Sequence, residues 1–204
     1  MGECSISEEM IQQTINFHGH SCPGLALGIR AAEMAMTQFD RASDEEIVAV
    51  VETDMCGVDA VQFLTGCTFG KGNLIHLDYG KSAFTFYRRS DAKGLRIVVR
   101  PDVFRDPDDD LSALRKKMAK GKLNPQEKKR MKKAKAARTK RIMEAGLKEL
   151  FETKPVQVPV PKKARILESL SCQACGEAAM ESRTRRFLGQ TLCIPCFDAM
   201  EKRR

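Results

Sequence analysis

The sequence predicts an α+β fold: N-terminal helices packed on a mainly antiparallel sheet, then a basic helical extension and a C-terminal treble-clef or zinc-ribbon finger. In the first hundred residues, apolar-periodic helical segments precede alternating strand segments. Residues 115–148 hold 15 Lys and Arg against two Glu, so this segment carries +13 and the rest of the +8 chain carries −5. Two C-x-x-C pairs near the end are typical of a metal site.

The first helices are predicted from caps and apolar spacing. Ser7 is the expected N-cap of a helix whose apolar face includes Met10 and Ile15. Pro23 is expected to open a second, longer helix, because a missing N–H costs nothing in the first turn. A third helix is predicted after Cys56 and should end at Gly66.

The strands of the first domain are predicted from continuous or alternating apolar residues. Residues 47–51 indicate a buried strand, and residues 74–78, 83–88 and 95–99 indicate three more. We therefore expect a first domain at residues 1–105, large enough for one hydrophobic core.

The following segments are predicted to be different in kind. Residues 106–165 are expected to form the basic helical extension, with a helix from Asn124-Pro125 to about Phe151 and then a stiff linker of alternating Pro and Val. Residues 166–204 are expected to form the finger.

The finger is predicted to hold a structural zinc ion. Two C-x-x-C pairs, 17 residues apart, supply four thiolates for one tetrahedral metal: Cys172, Cys175, Cys193 and Cys196. A segment this short cannot fold by core burial alone, so the metal is expected to drive its folding. Four protein ligands leave no open position, which predicts a structural rather than a catalytic site.

The first domain contains a second reactive run, FHGHSCPG, at residues 17–24. It holds His18 and His20, two of the chain's three histidines, close to Cys22. These residue types ligate transition metals and act as bases or nucleophiles near neutral pH. We expect all three in a loop at a helix N-terminus, where the helix dipole favours a thiolate. The alternative is two loop histidines and a small buried thiol.

Three more segments are expected to converge on this run, one of which is residues 78–81. Another contains Cys56 and Asp59 at a strand-to-helix junction, and the third is the glycine-rich segment with Cys67, Lys71 and Asn73. The backbone N–H groups of the glycine-rich segment could bind an anion, with Lys71 as a point charge, although the spacing is not that of a P-loop. The alternative is a structural tight turn.

Three chemistries stay open for these residues. His18 or His20 with Cys22 and Cys56 could bind a second zinc or an iron ion that keeps an open site. Cys22 or Cys56 could instead be a nucleophile, with a His as base and Asp59 orienting it. Redox work by Cys56 and Cys67 is the third alternative.

Three ordered motifs resemble the family of the E subunit of formylmethanofuran dehydrogenase: the run at 17–24, CxxDAVQ at 56–62 and TGCTxGKGNL at 65–74. The resemblance covers about residues 8–100, and more loosely the extension and finger. It implies an α+β domain, often dimeric, found in methanogens and other anaerobes and associated with the molybdenum or tungsten enzyme that handles formylmethanofuran. The motif positions are the candidate catalytic residues His18, His20, Cys22, Cys56, Asp59 and Cys67 and the candidate cofactor-binding residues Lys71 and Asn73.

The predicted function is accordingly an accessory metal-binding protein. No molybdopterin or iron–sulfur cysteine pattern is visible in the body, so the resemblance implies an oxidoreductase subunit other than the catalytic one. A homodimer and a larger dehydrogenase complex are the expected partners. The alternative is a regulatory module that docks protein or nucleic acid through its basic helices and finger. Nucleic acid is less favoured, because residues 106–150 contain no aromatic residue for base stacking.

Compartment and membrane contact are predicted from absences in the sequence. The first residues lack the basic and apolar regions of a signal peptide, and no apolar stretch approaches about 20 residues. We therefore expect a cytoplasmic protein without membrane contact, whose eight cysteines are metal ligands or reactive thiols rather than disulfides.

Overall fold

The computed structural model describes residues 4–104, 109–121, 123–156 and 159–202. The chain forms two compact units, Met1–Lys163 and Ala164–Arg204. Within the described residues, no helix has the length and apolar character needed to cross a membrane.

A five-stranded mixed sheet organises the first unit, with the strand order β2-β1-β3-β4-β5. The first two strands are parallel and the other neighbouring pairs are antiparallel, which confirms the predicted mainly antiparallel sheet. Every residue of the central strand β1 is buried, which explains its continuous apolar sequence. The strands are β1 Ile47–Val51, β2 Leu74–His76, β3 Ala83–Arg88, β4 Gly94–Val99 and β5 Phe151–Val156.

Helices of the first unit bury one face of this sheet. Val51, Phe86 and Ile97 of the sheet share a core with Ala31 and Ile142 of the helices. The opposite face is partly covered by the chain that follows β5, where Val160 packs against the cluster around Tyr87. The helices are α1 Glu8–His18, α2 Pro23–Met36, α3 Gly57–Thr65, α4 Asp109–Ala119, α5 Pro125–Glu144 and α6 Leu147–Leu150.

Local sequence signals determine where the first helices begin and end. The Ser7 side chain accepts a hydrogen bond from the N–H of Met10, and Pro23 lies in the first turn of α2, as predicted. Gly66 follows α3 with a φ of 73°, a left-handed conformation that glycine adopts without strain. The structure thus has the predicted helix boundaries around the reactive run.

The segment expected as a separate extension belongs to the first unit. The boundary between the two units lies between Lys163 and Ala164, and the chain does not divide near residue 105. The reason is that Ile142, Leu150 and Phe151 belong to the hydrophobic core of the first unit. The predicted helix to residue 151 is too long: α5 ends at Glu144 and residues 151–156 form β5. Part of the expected linker is therefore a strand, which tolerates Pro155 because β5 lies at the sheet edge.

A buried ion pair fixes the end of α5 against α2. Arg30 is fully buried, lies 2.8 Å from Glu33 and donates a 2.6 Å hydrogen bond to the carbonyl of Ala145. The backbone N–H of Ser5 donates to the same Glu33 carboxylate. Buried charges are costly unless paired and hydrogen-bonded, so these contacts specify one position for α5.

The second unit is a finger with very little core. It contains β6 Ser169–Ser171 and β7 Ala178–Met180 as one antiparallel pair, β8 Thr184–Phe187 and β9 Gln190–Cys193 as another, and α7 Ile194–Glu201. Leu192 is fully buried, and the rings of Phe187 and Phe197 pack edge to face at 5.4 Å. Two strand pairs and a short helix around four cysteines agree with the predicted zinc finger.

Candidate functional site

Four cysteines of the second unit form a metal-binding cluster. The sulfurs of Cys172, Cys175, Cys193 and Cys196 all lie within 4.8 Å of one another. Those of Cys175 and Cys193 are 3.9 Å apart. Zinc–sulfur bonds of about 2.3 Å in a tetrahedron place two sulfurs about 3.8 Å apart, so the geometry fits one structural zinc ion.

The electrostatics of the cluster also favour a bound cation. Backbone N–H groups, that of Cys175 first, lower the pKa of the Cys172 thiol to about 6. The sulfur of Cys193, together with its neighbours, raises the pKa of Cys196 to about 12. Crowded thiols therefore cannot all ionise without a cation, and a zinc ion supplies the charge that lets them do so.

The reactive run of the first unit joins two helices. His18 is the last residue of α1, which corrects the prediction that all three side chains lie in the loop. Gly19 then turns the chain with a φ of 92°, and His20 lies in the exposed loop. Cys22 is the N-cap of α2, where its sulfur accepts a 3.4 Å hydrogen bond from the N–H of Leu25. The loop thus joins one helix C-terminus to the next N-terminus.

This short connection brings three potential ligands together. The ligand atoms of His18, His20 and Cys22 lie within 4.8 Å of one another. The two imidazole rings are 4.5 Å apart, and Nε2 of His18 lies 4.0 Å from the Cys22 sulfur. A nitrogen and a sulfur that share a tetrahedral zinc lie about 3.6 Å apart, so only a small adjustment is needed.

Asp59 orients His18 from α3. Its Oδ2 lies 2.7 Å from Nδ1 of His18, and because a carboxylate accepts, the ring nitrogen carries the proton. The lone pair of the imidazole then lies on Nε2, the nitrogen nearest Cys22. Carboxylates in this position commonly fix the tautomer and orientation of metal-bound histidines.

Glycines bring Cys56 beside Cys22 by letting α2 and α3 cross closely. A Cβ on Gly28 would lie 2.3 Å from the carbonyl oxygen of Gly57. A Cβ on Gly24 would contact Cys56 at 3.3 Å. Sequence reasoning missed these glycines, although the spacing of Gly24 and Gly28 along an apolar helix is a signal for close approach.

Cys56 is a protonated thiol when no cation is bound. Burial first, and then the neighbouring Cys22 sulfur, raises the pKa of the Cys56 thiol above its usual value. This shift opposes the reading of Cys56 as a free thiolate nucleophile. A divalent cation between the two sulfurs would reverse it.

The other predicted site residues hold the glycine-rich loop in place. Asn73 is fully buried; its amide donates to the carbonyls of Asp44 and Ile47 and accepts from the N–H of Thr68. Cys67 is buried with the core and points its sulfur at the Ile47 carbonyl, so it lies outside the ligand cluster. Nζ of Lys71 donates to the Asp44 carbonyl. The structure therefore favours a tight-turn role for this loop.

Comparisons with known proteins agree with both units. Residues 17–152 match the family described as FmdE, molybdenum formylmethanofuran dehydrogenase operon, and residues 165–202 match the prokaryotic dksA/traR C4-type zinc finger. A probable S-adenosyl-L-methionine-binding protein from Archaeoglobus fulgidus is 35% identical over 188 residues. That alignment covers 88% of this chain, and the chain spans about half the length, 50%, of this curated relative.

A solved structure extends the similarity to the whole chain. The crystal structure of a tungsten formylmethanofuran dehydrogenase FmdE-like protein from Syntrophus aciditrophicus aligns with a TM-score of 0.65 at 25% identity. The alignment covers 99% of this chain and 98% of that one. Because the family model matches residues 17–152, two thirds of this chain, the chain belongs to the FmdE family, and it carries a C-terminal C4 zinc finger.

Proposed function

We propose that this protein binds a second metal ion, zinc or iron, through His18, His20 and Cys22, with Cys56 beside them. The observation that carries the proposal is the hydrogen bond from His18 to Asp59, which leaves Nε2 available 4.0 Å from the Cys22 sulfur. A histidine held by a carboxylate next to a thiol is a common metal-ligand arrangement.

The site is suited to a metal that also contacts a ligand. His20 is exposed while His18 and Cys22 are half-buried, so the cluster opens to solvent on one side. Three ligands leave a fourth position for Cys56 or for a bound molecule. A metal held there would supply Lewis-acid chemistry to a carbonyl or to water.

The proposal is tested by metal analysis of the full chain after anaerobic purification. The double variant His20→Ala/Cys22→Ser removes two ligands, whereas Cys67→Ala removes a thiol outside the cluster. We expect the double variant to lose one metal ion per chain and Cys67→Ala to keep the wild-type content. Equal metal content in all three proteins would refute the second site.

We also propose that the protein is a homodimeric accessory component of a molybdenum or tungsten dehydrogenase complex. The family description and the name of the solved neighbour support this role. Anaerobic copurification with a tagged protein, followed by mass determination of the complex, tests it. A chain that stays monomeric and captures no dehydrogenase component would contradict it. Docking to nucleic acid through the basic helices and finger stays the alternative prediction.

A second candidate ligand comes from the relative named for S-adenosyl-L-methionine. A cavity of about 370 Å³ lies between the end of α1, α3 and the glycine-rich loop. The rings of Phe17 and Phe63, which pack against each other at 5.6 Å with a tilt of 35°, line it together with the cations Arg41 and Lys71. Aromatic faces suit an adenine ring, and cations suit a carboxylate.

Equilibrium dialysis with S-adenosyl-L-methionine tests this candidate. Lys71→Met should weaken binding about tenfold by removing one charge-assisted contact, whereas Lys148→Met, an exposed lysine on α6, should not. No binding to the wild-type protein would exclude the adenosyl ligand.

A further inference from the structure

A groove of about 680 Å³ opens beside the reactive run, between Ser21, the end of α4 and one face of α5. We propose that it binds an elongated small molecule with an apolar body and an anionic group, placing one end next to the His–Cys cluster. This inference deepens the proposed function, because it gives the cluster a class of ligand. The volume of the groove is in the range of small-molecule binding sites.

The floor of the groove is apolar and adaptable. Met118, Leu123 and Met131 line one end, where α4 and α5 are joined, and Ala136 lies further along α5. Met131 is buried, whereas Met118 is 43% exposed and Ala136 is exposed. Methionine side chains adapt to the shape of an apolar guest, so this end suits a flexible chain or a ring.

The rim of the groove is basic. Lys128, Lys132, Lys135 and Lys140 all line it, and no acidic side chain lines it among the residues that the structure describes. Lys140 lies 3.7 Å from Glu144, but the other three have no ion pair within the described part of the chain. From Lys128 to Lys140 the rim extends about 18 Å along the helix. Charge complementarity therefore requires an anion.

One end of the groove reaches the reactive run. Ser21 lines it and lies between His20 and Cys22 in the chain. Ala136 and Thr139 of α5 line the groove at this end, because α5 passes Ser21 before its C-terminus reaches Arg30, further along α2, so that the two helices run in the same direction. A molecule in the groove would therefore bring a polar end to the edge of the His–Cys cluster.

The connection to Ser21 favours a small molecule over an acidic protein helix. A helix in the groove would also satisfy the lysines, but it would gain nothing from a groove that ends at a reactive cluster. A small amphiphile uses all three features: the apolar floor, the basic rim and the neighbouring ligands. The acidic helix is therefore an outcome of the test.

Calorimetric titration with alkyl phosphates tests the proposal on the full chain. Decyl phosphate should bind. Inorganic phosphate should not bind because it lacks the alkyl chain, and decyltrimethylammonium should not bind because it carries the opposite charge. Octyl phosphate should bind roughly 15-fold more weakly than decyl phosphate, because each buried methylene contributes about fourfold in affinity. No binding of decyl phosphate, or equal binding of decyltrimethylammonium, would overturn the proposal.

A matched pair of variants localises the binding. Lys132→Glu/Lys135→Glu reverses two charges on the groove rim and should weaken decyl phosphate at least tenfold. Lys129→Glu/Lys133→Glu makes the same charge change at exposed positions of α5 that do not line the groove, and should have less than a twofold effect. Equal loss in the two variants would place the binding outside the groove.

Protection of Cys22 tests whether the groove reaches the cluster. In metal-free protein, bound decyl phosphate should slow alkylation of Cys22 by iodoacetamide severalfold, and unchanged Cys22 alkylation at saturation would overturn the placement. The readout is independent of metal binding, so a failure of the second metal site and a failure of the groove are distinguishable. Binding of an acidic amphipathic peptide without any binding of alkyl phosphates would replace the small molecule by a protein partner.

Discussion

Removing the charge of Asp59 should weaken metal binding at the proposed second site, the His–Cys cluster, without unfolding the domain. Asp59→Asn keeps the shape of the side chain and its acceptor oxygen, 2.7 Å from Nδ1 of His18. The variant loses the negative charge that favours the tautomer with its lone pair on Nε2. Metal affinity, rather than fold, should therefore respond.

The structure sets the expected magnitude. Loss of an outer carboxylate partner typically lowers metal affinity about 10–100-fold. The His18 side chain is only 10% exposed, but that of Asp59 is 40% exposed and partly screened by water. We therefore expect the lower end of the range, about tenfold, or about 1.4 kcal/mol.

Cobalt(II) titration of protein with zinc already in the finger measures this affinity from the ligand-field absorption of the second site. Asp54→Asn is the matched control, because it makes the same chemical change at an exposed residue of the loop before Cys56. The orienting role of Asp59 is excluded if Asp59→Asn binds cobalt as tightly as the wild type, or if Asp54→Asn weakens binding equally.

Three other predictions concern helix packing, pH and the finger. Gly28→Ala forces a Cβ to 2.3 Å from the Gly57 carbonyl and should cost about 1–3 kcal/mol in thermal unfolding, whereas Gly70→Ala, with nothing within 4 Å, should have little effect. Backbone N–H groups of Glu46 and Ser43 lower the pKa of Glu46 from 4.5 to about 2. Its stabilising contribution is therefore full above pH 4.5 and lost as the pH falls toward 2, and acid titration of Glu46→Gln should lack this component. Cys193→Ser should lose the metal and unfold the second unit, so that limited proteolysis cleaves this unit while the first unit stays resistant. A finger that stays intact without metal would contradict a structural role for the metal.

The sequence predicted the elements whose signals are local. Ser7, Pro23 and Gly66 mark helix ends through capping chemistry that does not depend on the rest of the fold. The four finger cysteines were predictable for a similar reason, since ligand spacing alone describes a tetrahedral site.

The elements that depend on tertiary contacts were not predicted. Pro155 indicated a linker, yet it lies in an edge strand where its missing N–H faces no partner strand. The lysine-rich sequence of α5 predicted a separate basic extension, but the side chains of Met131 and Ile142 are buried and hold the helix in the first unit. Two anchors are too few to give a clear periodic pattern in such a basic segment.

The roles of the candidate site residues also depend on tertiary contacts that the sequence does not indicate. The pairing of His18 with Asp59 joins residues 41 positions apart, so spacing along the chain could not indicate it. Asn73 carried a polar side chain in a glycine-rich motif and suggested a ligand contact, but backbone groups use its amide completely. Distinguishing a loop-fixing amide from a binding amide requires the fold.

We propose two metal ions for each chain, one structural ion in the finger and one in the His–Cys cluster. The most direct test is metal content per chain of anaerobically purified full-length protein, compared with His20→Ala/Cys22→Ser and with Cys193→Ser/Cys196→Ser. We expect two metal ions in the wild type and one in each variant. One metal in the wild type, kept when His20 and Cys22 are replaced and lost with the finger cysteines, would exclude the second site.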